Sequence, residues 1–335
     1  MKTKSLIGLF IGIMLLCALV VWQGLATVLG LLAEGGWGIL LVCLFAVPSL
    51  ALGGEAWRCL FPLEHRPPVI QTFLASSMGA AVNILLPVAS IGGELVKARV
   101  LNLWSHPGIH AVSSIVVDKT VQAIVILVWG LVGIAMLATL VEEPAIVRGA
   151  IGGAVLLAFG ITGFVAVQIF GSFSFLARLG IKVGRAEKWR SMVGNAEAMD
   201  RAVREIYRRP GSLLTACALR LSVRVILVGE VMLAGHLMGH PIGLSEAVML
   251  KGLVIALRGI SFAVPAGLGI QEAGYVAIGA LIGLPADLMI ATSLFTRVRE
   301  ILPSIPFLVL WQHTEGKALW RKRQKNESEG SPDAP

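Results

Sequence analysis

Charged side chains lie inside segments of this sequence that are otherwise apolar. In the stretch LLPVASIGGELVKARVL, residues 85–101, a proline and a glycine pair are followed by Glu94, Lys97 and Arg99. A charged side chain at the centre of a membrane span costs roughly 2.5–3.5 kcal/mol. Such residues therefore normally face a polar interior and pair with an opposite charge. Their types favour ion pairing and the binding of a polar group within a membrane.

Similar charges recur along the chain, and together they are the strongest functional indication in the sequence. The set comprises Glu94, Lys97, Arg99, Asp118, Lys119, Arg220, Arg224, Glu230, Lys251, Arg258, Glu272, Arg297, Arg299 and Glu300. Even if half of them lie at the membrane surface, the free energy of placing the remainder in the membrane would be large without a polar interior. Arg220 and Arg224 lie one helical turn apart, so they either contribute to that interior or extend to cytoplasmic lipid phosphates.

The first break in the backbone adds a possible anion site. A broken helix exposes free N–H groups at the N-terminus of a half-helix, and these groups attract anions. A short helix is predicted to start at about Gly93, and its amides, together with Lys97, could hold a phosphate or another anionic head group. Glu94 at that N-terminus caps the helix, pairs with a cation from another span or binds a proton.

The second break has the same form. In FAVPAGLGIQEAGYVAIGAL, Pro265, Gly267 and Gly269 interrupt the chain, and Glu272 then opens a helix rich in glycine and alanine. Small residues of this kind allow helices to pack closely in a membrane. As with Glu94, the alternative interpretation is that Glu272 is a structural cap bonded to a neighbouring arginine.

Composition identifies the class of protein that must position these residues. The chain has 335 residues, of which 56% are hydrophobic and 14% charged, and its mean hydropathy is +0.83. A soluble domain would have about a quarter charged residues. Several apolar runs reach the roughly 20 residues that a helix needs to cross a membrane. We predict an all-α fold, a polytopic bundle of membrane helices.

The predicted bundle has about six full spans and two broken stretches, each of which is either a re-entrant hairpin or a pair of thin spans. The spans are 6–32, 37–60, 111–140, 147–170, 212–238 and 287–312, and the broken stretches are 68–104 and 245–283. The segment 171–210 is polar and is predicted to be a solvated helix whose cations contact anionic lipids at the cytoplasmic face. The tail beyond 315 is predicted to be disordered at its end.

The formal net charge of +8 does not indicate nucleic-acid binding, because lysine and arginine are concentrated in a few short loops and tails. This distribution is typical of cytoplasmic segments and places both termini in the cytoplasm of a multi-pass protein of the bacterial inner membrane. The four cysteines are scattered without a CxxC or Cys/His pair, so neither a metal site, a disulfide framework nor any cofactor is expected.

The two halves of the chain share their spacing. Glu94 follows a proline by seven residues and precedes Lys119 by twenty-five, and Glu272 stands in the same relation to Pro265 and Arg297. This spacing predicts that Glu94 pairs with Lys119 and Glu272 with Arg297, and that both glutamates face one polar cavity. The predicted orientation opens the first broken stretch to the cytoplasm and the second to the outside, which is typical of the inverted repeats of transporters. The predicted units are an N-terminal helix (1–36), repeat one (37–140), a helix and basic linker (141–211), repeat two (212–314) and a cytoplasmic tail (315–335).

The two charged stretches carry a resemblance to a known family. LPVASIGGELVKARVL, with VVDKTVQAIV after it, resembles the flippase-like transmembrane domain of lysylphosphatidylglycerol synthases, and VPAGLGIQEAGYVAIGAL with the arginine helix that follows resembles its second signature. The second stretch looks most like the hopanoid-associated HpnL-type members. The resemblance implies that these positions bind substrate: Gly93, Glu94, Lys97, Asp118, Lys119, Pro265, Gly267, Gly269, Glu272 and Arg297.

The resemblance also implies a function. Members without a soluble transferase domain are regarded as lipid transporters or flippases, so a membrane lipid, isoprenoid-related such as a hopanoid or polyprenyl lipid, is the expected partner. The Asp118–Lys119 pair departs from the Glu-Arg pair of many relatives and lacks the bidentate fork of arginine. The alternative is a membrane-embedded enzyme or an accessory scaffold in hopanoid or polyprenyl-lipid biosynthesis. No catalytic motif such as HExxH or GxSxG supports an enzyme.

Overall fold

The computed structural model describes residues 36–86, 92–141, 143–169, 186–260 and 267–329, together with residues 30 and 33. This part of the chain is nearly all α-helix and contains no β-strand. Its helices are α1 (Gly38–Cys43), α2 (Ala46–Arg58), α3 (Val69–Leu85), α4 (Gly92–Leu103), α5 (Gly108–Leu140), α6 (Pro144–Ile169), α7 (Ala186–Tyr207), α8 (Pro210–Leu237), α9 (Leu244–Ile260), α10 (Ile270–Ala280) and α11 (Ala286–Glu329). The predicted all-α fold is confirmed. The span predicted at 6–32, Pro87 and Pro265 lie outside the described residues.

Three helical segments of the described chain are long and apolar enough to cross a membrane. They are Gly38–Arg58, which joins α1 and α2, Gly108–Leu140 and Pro144–Ile169. They coincide with three of the predicted spans. Two further predicted spans, 212–238 and 287–312, coincide with α8 and α11. The protein is a helical membrane bundle.

The outer surface of the bundle is apolar. On α6, Leu156 and Phe159 are each 74% exposed, and only Ile161 and Gln168 of that helix are buried. A soluble protein rarely exposes large apolar patches, whereas lipid tails cover such a surface without penalty. Several charged side chains are buried instead, among them Asp118, Glu230 and Glu272 at 0% exposure. The molecule therefore has a polar interior and an apolar exterior.

Each half of the chain contains a pair of short helices on either side of a break. In the first half α3 has 17 residues and α4 has 12. In the second half α9 has 17 and α10 has 11. Glycines make the second turn possible, because Gly267 and Gly269 have φ angles of 59° and 76°, in the left-handed region that other residues avoid. Both breaks predicted from the proline and glycine residues thus separate short helices.

The two halves pack against each other reciprocally. The long helix that closes the first half, α5, packs against α9 of the second half, and α11, which closes the second half, packs against α3 of the first. The opening helices α2 and α8 also contact each other. This exchange of partners is what two related halves around a common axis would produce. The inverted orientation of the repeat stays a prediction.

Glycines bring α5 of the first half and α9 of the second half close together. A Cβ atom added to Gly252 on α9 would lie 2.8 Å from Cα of Gly133 on α5 and 2.9 Å from the carbonyl oxygen of Trp129. Backbone atoms cannot move aside as a flexible side chain can, so α5 and α9 must separate to admit any larger residue. The absence of a side chain at these two positions sets the distance between the halves.

We expect Gly252→Val to destabilise the protein by about 1–3 kcal/mol, the usual cost of overpacking a close contact. The matched control is Gly153→Val on α6, because a Cβ at Gly153 meets nothing within 4 Å. The measurement is the thermal midpoint of both variants in detergent. Equal midpoints for the two variants would show that the α5–α9 contact does not limit stability.

The described part of the basic segment before α8, the helix α7, is helical as predicted, but it is not fully solvated. In α7, Val203 and Ile206 are buried against α5 and α8. The hydroxyl of Tyr207 donates a hydrogen bond to the amide oxygen of Gln168 on α6, at 2.9 Å, and lies 3.2 Å from the hydroxyl of Thr120 on α5. The end of α7 is therefore fixed to the bundle rather than lying free at its surface.

The last helix extends beyond the predicted span. α11 continues to Glu329, so the boundary predicted at 314/315 falls within a helix. Glu315 accepts a hydrogen bond from Nε of Arg99 on α4 at 2.7 Å, which ties this extension to the first half. The composition of the tail predicted a segment separate from the bundle, and it gave no indication of this contact.

Candidate functional site

Glu94 lies in the first turn of α4 and contacts two lysines. The Nζ atom of Lys119, on α5, is 2.5 Å from one carboxylate oxygen, and that of Lys97, one turn along α4, is 3.0 Å from the other. Lys97 is buried, and its ammonium lies 5.5 Å from the ring centre of Trp57, within the range of a cation–π interaction. The pairing of Glu94 with Lys119 predicted from the repeat spacing is confirmed.

The start of α4 is held by contact with α3. The backbone N–H of Gly93 donates to the side-chain oxygen of Asn83 at 2.8 Å. A Cβ atom on Gly93 would overlap the carbonyl oxygen of Gly79. The expectation of a free amide at Gly93 is therefore wrong, because a side chain of α3 already occupies it. Gly93 serves the close approach of the two helices.

Asp118 joins the two halves of the protein. It is fully buried on α5, and Nε and Nη2 of Arg220, on α8, donate to its carboxylate at 2.5 to 2.9 Å. Nε2 of Gln122 donates to the same carboxylate at 2.8 Å. Such a bidentate, hydrogen-bonded geometry is the strong form of an ion pair. Arg220 thus points into the bundle, and the alternative that it extends to lipid phosphates is wrong.

Glu272 is held by the arginine predicted to pair with it. Nε of Arg297, on α11, donates to Glu272 at 2.9 Å, and the hydroxyl of Ser293 donates to the same oxygen at 3.3 Å. Nη2 of Arg297 also donates to the carbonyl oxygen of Gly267 at 2.8 Å, so the arginine links α11 to the break. The N-cap of α10 is Gly269 and no side chain caps it, so Glu272 is not an N-cap, whereas the bond to a neighbouring arginine in the same structural interpretation is present.

Two further carboxylates are each shared by more than one cation. Glu230, on α8, accepts from Nζ of Lys251 at 2.7 Å and from Nε of Arg299 at 2.8 Å. Glu300, on α11, lies 2.8 Å from Arg258. It is also 3.5 Å from Arg297 and 3.6 Å from Arg299. These residues belong to the charged set noted in the sequence but were not among the predicted substrate-binding positions.

A cavity of about 60 Å³ lies beside these carboxylates. It is lined by Trp129, Arg224, Leu227, Lys251, Val254, Ile255, Arg258, Gln271, Tyr275, Thr296, Arg299 and Glu300. Trp129 belongs to α5 of the first half, and the other residues belong to helices of the second half, α8 to α11. The cavity therefore lies at the interface between the halves. Four of its lining residues are cations. Arg224 lines it instead of extending to the membrane surface.

The predicted site residues form two clusters, one in each half. In the first, Glu94, Lys97 and Lys119 meet between α4 and α5, while Gly93 lies against α3 and Asp118 against α8. In the second, Gly267, Gly269, Glu272 and Arg297 lie at the α10–α11 contact, and Pro265 lies outside the described residues. The hypothesis that Glu94 and Glu272 face one shared cavity is wrong for this cavity, because neither lines it. Each carboxylate is instead covered by its own cation.

Sequence reasoning missed Trp129 and Gln271 as residues of the cavity. Trp129 had no distinguishing signal, because aromatic residues are common in membrane helices. Gln271 follows the second break directly, and its amide now bridges helices: its oxygen accepts from Arg258 at 2.6 Å, and its nitrogen donates to Thr296 at 2.9 Å. A polar residue beside a glycine turn at membrane depth was the signal that could have found it.

The comparisons with known proteins agree with the charged clusters and the helical bundle. The family model described as the lysylphosphatidylglycerol synthase TM region matches residues 5–306, which include both clusters and every residue of the cavity. No curated protein and no solved structure matches the chain. Since the match covers most of the sequence, this chain belongs to the lysylphosphatidylglycerol synthase transmembrane region family.

Proposed function

We propose that the protein moves a polar-headed lipid from one leaflet of the membrane to the other. The head group passes the charged interior while the hydrocarbon tail stays in the apolar surroundings of the bundle. The observation that carries this proposal is the set of buried ion pairs at the contact between two halves, such as Asp118 with Arg220, in a bundle whose exterior is apolar. A purely structural bundle does not need ionised groups of this kind, which are costly to bury.

The shared carboxylates support the proposal because they can change partners. Glu300 contacts three arginines, and Glu230 contacts a lysine and an arginine. When one cation turns towards a head group, another can keep the carboxylate paired, so the cost of an isolated buried charge is avoided. An interior with two such arrangements has the bistability that alternating access requires.

The reciprocal packing of the halves supports the same mechanism. Contacts of α5 with α9 and of α11 with α3 allow the halves to rock against each other about a common axis, as inverted repeats do. We propose that repeat one (37–140) and repeat two (212–314) are such inverted copies. The ion pair between Asp118 and Arg220 then lies on the surface along which they move.

The lipid is proposed to be isoprenoid-related, such as a hopanoid, on the basis of the HpnL-type resemblance of the second break. Membership of that subfamily stays a prediction. Enzymatic modification of the same lipid, or a scaffold for enzymes that modify it, is the alternative function, and both are outcomes of one experiment. That experiment is reconstitution of the full chain in liposomes with labelled lipid, scored for movement between leaflets and for product.

Movement without product supports a flippase. Product that depends on the protein supports an enzyme. If no tested lipid is moved and no product forms, the scaffold function is favoured. Protein-free liposomes and liposomes with the Glu94→Gln variant, which is expected to fold, serve as controls for leakage and for the charged interior. The lipids compared are a hopanoid, a polyprenyl phosphate and phosphatidylglycerol, so the head-group preference is measured together with the activity.

We expect both termini and α7 to lie on the cytoplasmic side of a bacterial inner membrane, because lysine and arginine are concentrated in these segments. The test is a single cysteine at Arg201, an exposed residue of α7, in a chain whose native cysteines have been replaced. A membrane-impermeant thiol reagent should label it in inverted vesicles and leave it unlabelled in intact cells whose outer membrane is permeable. Labelling in such cells would reverse the orientation.

A further inference from the structure

Two buried hydrogen-bond donors in the cavity between the halves have no acceptor. They are Nε1 of Trp129, a residue only 6% exposed, and Nε of Arg224. Neither atom has a partner among the described residues. Buried donors are satisfied in the great majority of native structures, so each orphan requires an explanation. Two orphan donors on opposite halves that line one cavity indicate that an acceptor binds between them.

The charge of the surroundings identifies that acceptor. Around the cavity lie five cations and three carboxylates, namely Arg224, Lys251, Arg258, Arg297 and Arg299 with Glu230, Glu272 and Glu300. The sequence of the two breaks, 87–91 and 261–266, contains no ionisable side chain, so it adds no charge of either sign to this count. Among the described residues the cations therefore exceed the carboxylates by two, five against three, so the surroundings of the cavity carry a net positive charge. An occupant with acceptor oxygens and negative charge would satisfy both requirements.

We propose that this cavity binds the phosphate group of an anionic lipid. The proposal rests on the proposed function and narrows the choice of lipid, because a phosphate head group favours a polyprenyl phosphate over a hopanoid among the isoprenoid-related lipids. A phosphate offers several acceptor oxygens, so it accepts from the indole N–H of Trp129 and from Arg224 at once. Guanidinium groups match the geometry of a phosphate, and Arg258 and Arg299 line the same cavity.

Other head groups fit less well. A head group with hydroxyls alone would satisfy the two donors but leave the excess positive charge, and an ammonium head group would meet four cations and one carboxylate in the lining. The cavity of about 60 Å³ exceeds the roughly 10–15 Å³ that one water molecule needs, so it has space for a small group. A free phosphate ion has the same chemistry as the lipid phosphate, and the experiment separates the two sources.

The experiment measures equilibrium binding to the purified full chain in neutral detergent. The probes are radiolabelled phosphatidic acid, diacylglycerol with the same acyl chains but no phosphate, and inorganic phosphate. The variants are Arg224→Gln and Trp129→Phe, which remove the orphan donors one at a time, and Arg224→Lys, which keeps the charge. Arg208→Gln is the matched control, because Arg208 is an exposed arginine outside the cavity.

We expect phosphatidic acid to bind and diacylglycerol to bind at least tenfold more weakly. Arg224→Gln should weaken phosphatidic acid binding at least tenfold, and Trp129→Phe should weaken it at least threefold. Arg224→Lys should keep part of the affinity, and Arg208→Gln should keep all of it. Wild-type affinity in both Arg224→Gln and Trp129→Phe would overturn the proposal. Binding of inorganic phosphate alone, with the same dependence on Arg224, would overturn the lipid as its source.

A second measurement separates binding from a role in folding. Arg224 has three arginines among its charged neighbours, namely Arg220, Arg258 and Arg299, and Glu300 is the neighbour of opposite charge. Removing an unpaired cation from such a group relieves repulsion, so Arg224→Gln should raise the thermal midpoint of the ligand-free protein while it lowers lipid binding. A lower midpoint together with lost binding would indicate a structural role and contradict the proposal.

The site and the proposed function can fail separately. If phosphatidic acid binds with the expected dependence on Arg224 and no lipid moves in liposomes, the site is correct and the transport function is wrong. If lipid moves at the wild-type rate in Arg224→Gln liposomes, the protein transports lipid and the phosphate site is wrong.

Discussion

Replacing Glu94 by glutamine is expected to reduce lipid movement in liposomes at least tenfold while the protein still folds. Glutamine keeps the volume of the side chain but removes the charge that holds Lys97 and Lys119. The side chain of Lys119 is 37% exposed and can remain charged without its partner, and the buried ammonium of Lys97 keeps its contact with the ring of Trp57, so the fold should persist. The loss should therefore appear in the rate of lipid movement rather than in expression or in the thermal midpoint.

The controls for this prediction are a surface carboxylate and a double variant. Glu64→Gln changes an exposed glutamate before α3 and should move lipid at the wild-type rate. Lys119→Met should resemble Glu94→Gln, and the double variant should lose less than the sum of the two, because the residues act as one pair. Normal transport by a well-expressed Glu94→Gln variant would show that this pair has an architectural role only.

Breaking the Asp118–Arg220 pair is expected to have the largest effect on stability. Asp118→Asn leaves the guanidinium of Arg220, whose side chain is 15% exposed, without its counter-charge, and breaking one side of a buried pair costs about 3–5 kcal/mol. The double variant Asp118→Asn with Arg220→Met leaves no buried charge and should recover most of that loss. The measurement is the fraction of monodisperse protein in detergent as temperature rises.

The matched control is the exposed pair between Arg99 and Glu315. The side chain of Arg99 is 54% exposed, so Arg99→Gln should cost at most about 1 kcal/mol, the usual contribution of a surface ion pair. An Asp118→Asn variant as stable as Arg99→Gln would mean that water reaches Asp118 in the membrane. The double variant would then show no recovery, because no uncompensated charge had been created.

The pairs within each half could be predicted from the sequence. Glu94 with Lys119 and Glu272 with Arg297 share a separation of 25 residues, because each carboxylate follows a break and each cation lies in the next helix. Periodic hydrophobicity also predicted the helices that contain them. Both signals are local, and they depend on residues close together in the chain.

The contacts between the halves could not be predicted in this way. Arg220 is 102 residues from Asp118, and nothing in the spacing distinguishes it from Arg224, one turn further along α8, which lines the cavity instead. Which of the two arginines meets the carboxylate depends on how α8 is rotated against α5. That rotation is fixed by close packing, including the glycine contact between α5 and α9, and not by local sequence.

The separation of Asp118 from its partner also has a consequence for how the protein is made. The chain is synthesised from its N-terminus, so α5 enters the membrane before Arg220, 102 residues later, has left the ribosome. During that interval the carboxylate has no cation, and an ionised aspartate in a membrane helix costs about 2.5–3.5 kcal/mol to insert. The nascent first half must therefore bear this cost, or wait beside the insertion machinery, until the second half arrives. A ribosome-stalled fragment that ends before α8 should be degraded quickly in cells.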